Sequence, residues 1–174
     1  MALSLHSALI PSMVQITRSV SKLVDKAEAH CEENSLPHSE IIGARLAENM
    51  LPFAYQVKCC WAHSSHAVAS VREGVFTPDM SPFPDSFAGL REVLAKAVDE
   101  LEAITEAELE ELAGKDMRFE IPGKYRIDFT GQEFLLSFAQ PNFYFHASTA
   151  YDILRMKGLP LGKTDYLGKL RLKG

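Results

Sequence analysis

The chain has 174 residues, 47% hydrophobic and 24% charged, the size and balance of one globular domain with a continuous core. Its formal charge of −5, with no long Lys/Arg stripe to overrule that sign, gives no grip on a polyanion, and nucleic-acid binding is not expected. The three cysteines, Cys31, Cys59 and Cys60, are odd in number and lack the spaced pairs of a structural zinc site, so they read as buried thiols rather than a disulfide framework.

From Met1 to Met13 there is no basic start, and His6 interrupts the apolar residues, unlike a secretory leader. No apolar run approaches the roughly 20 residues that a bilayer crossing needs, so the expectation is a cytoplasmic chain with no membrane partner. Between Leu5 and Cys31, Leu5, Leu9, Met13, Ile16, Val20, Leu23 and Ala27 fall three or four apart and predict a first long helix. Pro11 either begins that helix or bends it. Glu32 to Pro37 is a polar break, and Ile41 to Met50 holds a short helical turn.

Helix two runs from Pro52 to Gly74 with Phe53, Val57, Cys60, Ser64, Ala67 and Val71 on one face. The segment from Phe76 to Pro84 holds Pro78, Pro82 and Pro84 and reads as an extended crossover. Helix three begins near Ser86 with Asp85 as its cap and carries Phe87, Leu90, Leu94, Ala97 and Leu101, followed by an acidic turn at Glu106 to Glu111. The period then changes to two around Pro122-Gly123-Lys124, predicting a β-hairpin from Asp116 to Phe129. Helix four runs from Gly131 to Lys157 and ends at Gly158, and the basic tail from Leu159 packs irregularly. No domain boundary is visible across 1–174, and four amphipathic segments with one hairpin predict a mainly all-α fold, a four-helix bundle with a small β-hairpin between helices three and four.

A rotation of 100° per residue puts His146 at the middle of the apolar face of helix four, beside Leu135, Phe138, Asn142, Thr149 and Ile153. Gln56 and His63 share a stripe at the edge of helix two. Asn142 and His146 are read either as a hydrogen-bonded core pair or as the lining of a cleft, where His146 acts as general base and Asn142 orients a small-molecule ligand. The apolar walls of that cleft are Phe138, Phe145 and Cys60. Tyr144 and Tyr151, on the polar side of helix four, face water or a second copy in a homodimer. His66 is taken as surface and His6 as packing.

The segments Phe129-Thr130-Gly131-Gln132-Glu133, Gln140-Pro141-Asn142-Phe143-Tyr144-Phe145-His146 and Thr149-Ala150-Tyr151-Asp152-Ile153-Leu154-Arg155, with Gly158 and Pro160-Leu161-Gly162-Lys163, resemble a family of unknown function in the DinB/YfiT-like superfamily. The resemblance implies a four-helix bundle, often dimeric. It also implies a divalent metal (Zn, Ni or Mn) held by one His of helix two and a His-x-x-x-His pair of helix four, in enzymes of transferase or isomerase type. Here Asn142 stands where the first histidine of that pair is expected and His146 is the second, while the helix-two position falls on Gln56 or His63. An amide oxygen is a poorer donor to Zn²⁺ or Ni²⁺ than imidazole. Three readings follow: a metal-independent pocket lined by Asn142, His146, Gln56 and His63; a metal centre on His146 and His63; and a non-catalytic dimeric module.

Overall fold

The structure is a computed structural model and describes residues 3–173; Met1, Ala2 and Gly174, the outermost ends of the N-terminal stretch and of the tail, lie outside them. The first helix, α1 (Leu5–Glu33), starts where the Ser4 hydroxyl accepts the Ser7 N–H at 3.1 Å, a side-chain cap for an otherwise free amide. Pro11 therefore lies inside the helix rather than at its start. An interior proline costs about 3 kcal/mol, and the stripe of Leu9, Met13, Val20, Leu23 and Ala27, all fully buried, is long enough to outweigh it at roughly 0.8 kcal/mol per buried methylene. A short α2 (Ser39–Ile42) then plugs Ile41 into the core.

Helix two is not continuous. It divides into α3 (Phe53–Ala62) and α4 (Ser65–Glu73) at His63 and Ser64, where Ser64 adopts φ −117° and ψ −99°. The break is stabilised locally, because the Ser64 hydroxyl donates to the Cys60 carbonyl at 2.5 Å and so satisfies a group that the interrupted helix leaves open. Gly74, at φ 77°, ends α4 in the left-handed conformation. The crossover is then only partly irregular: β1 (Val75–Phe76) pairs parallel with β2 (Asp116–Ile121), which pairs antiparallel with β3 (Tyr125–Thr130), giving the order β1-β2-β3. The expected hairpin is thus present and gains a third strand.

α5 (Phe87–Glu102) is capped by Ser86, whose hydroxyl accepts the Gly89 N–H at 3.2 Å, and not by Asp85. The acidic turn is α6 (Glu106–Leu112), capped by Thr105. The last long helix is built in three parts: α7 (Gly131–Glu133), a π-helical stretch over Phe134–Ala139, and α8 (Gln140–Met156). α1 packs against α5 and α8, and α3 packs against α8 and α5, which makes the four-helix bundle. A DinB-like bundle with a small sheet is what these elements form.

The π-helical stretch changes which residues face inward. Its i→i+5 bonding makes the turn wider, so side chains beyond it are rotated relative to a uniform 100° projection. Asn142, expected on the apolar face, is only half-buried, while its neighbour Phe143 is fully buried. The tail is also more ordered than its sequence suggested. α9 (Lys163–Leu167) lies on α1 and starts where the Asp165 carboxylate accepts the Gly162 N–H at 2.7 Å. Tyr166 packs edge-on against Tyr151 at 6.0 Å and accepts a hydrogen bond from Ser148 at 3.2 Å, so the tail covers part of the face that was open to water or a partner in the linear reading.

Gly131 opens the last long helix hard against backbone, where an added Cβ would overlap the Leu112 carbonyl oxygen and lie 2.8 Å from Val71 Cγ1. Replacing it by alanine forces backbone apart, and a loss of about 1–3 kcal/mol is expected. Urea unfolding of Gly131→Ala checks this against Gly114→Ala, where an added Cβ meets nothing within 4 Å; equal midpoints for the two variants would refute it.

Candidate metal centre

α3 and α8 lie side by side, and between them one ligand-type atom each from Cys59, His63 and His146 fall within 4.8 Å of one another. Two features of the local sequence gather them. Cys59 and His63 are four apart, so one turn of α3 stacks them on one face, and His63 sits at the C-cap, where the chain turns away into α4. His146 comes from the middle of α8, and its ring stacks on that of His63 at 5.3 Å with planes 9° apart.

Gln56, one turn before Cys60 on α3, fixes the state of His146. Its amide nitrogen donates to the Leu51 carbonyl at 2.8 Å, which turns Oε1 toward His146 Nδ1, 2.7 Å away. A carbonyl oxygen only accepts, so Nδ1 carries the proton and Nε2 keeps its lone pair. His63 Nδ1 is buried with no hydrogen-bond partner among the described residues. An orphaned, buried ring nitrogen of this kind is the mark of a donor set aside for a ligand such as an ion.

The electrostatics keep both rings neutral. Burial, reinforced by the neighbouring His146 and His66, pushes His63 down to about 3, and burial pushes His146 down to about 4. Burial also pushes the Cys59 thiol up to about 11, opposed by a hydrogen bond from Tyr55 and by the Lys58 ammonium and reinforced by Asp79. Two neutral imidazoles and a thiol are borderline-soft donors suited to a zinc-class ion, whose ligand atoms stand roughly 3.5 Å apart in a tetrahedral shell. The residues present therefore fit a divalent metal.

The other residues singled out in the sequence are placed as follows. Asn142 donates its amide N–H to the Phe138 carbonyl at 2.7 Å, folded back on its own helix. Thr149 is buried and donates to the Phe145 carbonyl at 2.7 Å. Phe138 meets His63 edge-on at 5.9 Å and forms a wall. Phe145 is 56% exposed and touches the His146 ring edge-on at 5.2 Å, so it stands at the mouth rather than lining an interior cleft. Cys60 belongs to the core and not to the cluster: it is fully buried, its thiol donates to the Gln56 carbonyl at 3.5 Å, and burial pushes its pKa up. His66 is half-buried and stacks on Trp61 at 4.7 Å. His6 Nε2 lies 3.0 Å from the Ile104 carbonyl, a packing contact.

Cys59 is the residue that the linear reading left out. The Cys59-x-x-x-His63 spacing at the end of a helix was its available signal. A groove of about 1110 Å³ between α1, α5 and the tail contains none of the three donors, so volume does not locate this centre; the chemistry of the donors does.

A mostly helical bundle with ligand-type side chains between its second and last long helices defines a DinB-like protein. A crystal structure of a DinB family member protein from Shewanella denitrificans is similar at 30% identity, with a TM-score of 0.80 over 98% of this chain and 95% of that one. Residues 5–167 match the family described as a domain of unknown function, DUF1993, and the chain belongs to that family. No curated protein matches it.

The depressed histidines make stability depend on pH with a definite sign. Each ring is neutral in the folded chain and titrates near 6.5 when unfolded, so its contribution is intact above about pH 6.5 and is lost as pH falls toward the folded values of about 4 and 3. Between about pH 7 and 5 the metal-free protein is expected to lose on the order of 1–2 kcal/mol per histidine. Urea unfolding at the two pH values measures it, and NMR of the ring protons gives the direct check; both rings titrating near 6.5 would refute the burial argument.

Proposed function

We propose that this chain is a divalent-metal-dependent enzyme of the DinB-like kind, with the ion held by Cys59, His63 and His146. The observation that carries the reading is the convergence of one donor atom from each of the three residues within 4.8 Å, alongside a buried His63 Nδ1 with no partner among the described residues. When bound, an ion with three protein ligands supplies Lewis-acid chemistry at its remaining position.

The chain's own residues do the rest. Gln56 holds the His146 ring in the tautomer that leaves Nε2 free, the usual task of a group behind a metal-bound imidazole. Tyr55 is bonded to the Cys59 sulfur and stands 5.9 Å from the His146 ring. In this reading Cys59 of α3 takes the place of the first histidine of the helix-four pair, the position that Asn142 occupies. A thiolate donor biases the site toward zinc over Mn²⁺.

The Gln56–His146 bond also favours a second reading, a metal-free pocket in which that pair and Asn142 bind a small polar ligand. Metal analysis separates the two. Protein purified without a histidine tag is expected to carry close to one transition metal per chain by mass spectrometry, and Cys59→Ser and His146→Ala are each expected to lower occupancy about 10–100-fold under competition with a chelator. No metal in the unaltered chain, even after incubation with Zn²⁺, Ni²⁺ or Mn²⁺, would leave the metal-free pocket.

A further inference from the structure

Lys58, next to Cys59 on α3, is buried, and all three hydrogens of its ammonium are used. It donates to the Ser81 carbonyl at 2.7 Å and the Ser81 hydroxyl at 2.9 Å, and it pairs with Asp79 Oδ2 at 2.9 Å. The other Asp79 oxygen accepts the Ser81 N–H at 2.8 Å. The partners all belong to the proline-rich segment 77–84, which has neither helix nor strand. A buried ion pair adds little stability over an apolar replacement of the same shape, but removing its geometry releases whatever it holds in place.

What it holds lies across the candidate centre. At one end of the segment Phe76 stacks on His63 at 5.6 Å. At the other, Phe83 meets Tyr55 edge-on at 6.2 Å, and Tyr55 in turn lies against His146 and the Cys59 sulfur. Phe83 is 38% exposed and Met80 89% exposed, so the segment is thin and has water on its outer side. One helix therefore carries both a donor and the anchor of the chain that covers it.

We propose that segment 77–84 is the access wall of the centre and that Lys58 is the positioning residue that latches it, so that a ligand reaches Cys59 by displacing Phe83 from Tyr55. What the wall guards rests on the metal reading above, whereas the latch itself does not. Lys58→Met keeps the volume and removes the charge. In metal-free protein treated with N-phenylmaleimide, site-resolved mass spectrometry is expected to show alkylation of Cys59 rising about tenfold in this variant, as local opening becomes easier, with Cys31 and Cys60 unchanged.

An unchanged Cys59, or all three thiols rising together as general loosening would produce, would overturn the latch. Phe83→Ala, which opens the wall with the latch intact and lies outside the core, is expected to give the same selective rise, and no rise there would overturn the wall. Zinc content measured alongside keeps the two ideas apart. A chain that binds zinc but shows no selective change at Cys59 defeats the latch and leaves the metal centre standing; a selective change in a chain that takes no metal does the reverse.

Discussion

The hydrogen bond between His146 Nδ1 and Gln56 Oε1 is the contact on which the arrangement between α3 and α8 depends. It crosses from one long helix to another inside an apolar core, where an unpaired amide or ring nitrogen would cost about 1–3 kcal/mol. Each partner therefore fixes the other. Gln56 is itself tied to the Leu51 carbonyl just before α3, so the orientation of a side chain in α8 is set by the loop that launches α3. The ring-on-ring contact of His63 with His146 follows from that placement.

The break in helix two has a comparable reach. Had α3 and α4 been one rod, His63 would be a mid-helix residue with its backbone fully committed. At the break it is a C-cap beside Ser64, and the chain beyond it turns to deliver β1, so that Phe76 returns to stack on the His63 ring. The aromatic shell of Phe76, Phe138 and Phe119 is thus assembled from two strands and a π-helical stretch. Such a shell desolvates the His63 ring, and burial does the same for His146, which is why both stay neutral far below the usual histidine range.

Much of the bundle was legible in the sequence because burial imposes a period of 3.6, and α1, α5 and the hairpin each wrote that period or its two-residue counterpart plainly. What was not legible were departures from uniform geometry. Periodicity assumes an unbroken helix, so it ran through Ser64, where a side chain replaces a backbone partner, and through Phe134–Ala139, where a wider turn leaves Asn142 half-buried and puts Phe143 in the core. The candidate site suffered from the same assumption. Gln56 and His63 were found because they lie before the break at Ser64, and His146 because it shares one regular stripe of α8 with Thr149 and Ile153, whereas Cys59 and Cys60 were exchanged because a stripe edge cannot tell two neighbouring thiols apart. The pairing of Tyr151 with Tyr166 was invisible for another reason: it depends on where a tail lands, which no local pattern encodes.

A thiol and two imidazoles are unusual occupants of the interface between core helices, and their neutrality explains how the fold tolerates them. Burying three charged groups would cost several kcal/mol each, whereas a protonated thiol and two uncharged rings carry only the smaller cost of imperfect hydrogen bonding, concentrated here on His63 Nδ1. The same neutrality links folding to an ion in the proposed reading. A thiol held high by burial releases its proton only to something that replaces it, so metal uptake would expel a proton as the sulfur becomes a ligand. The bundle would then be most stable when loaded, with the stabilisation centred on the α3–α8 contact that Gln56 and His146 already define.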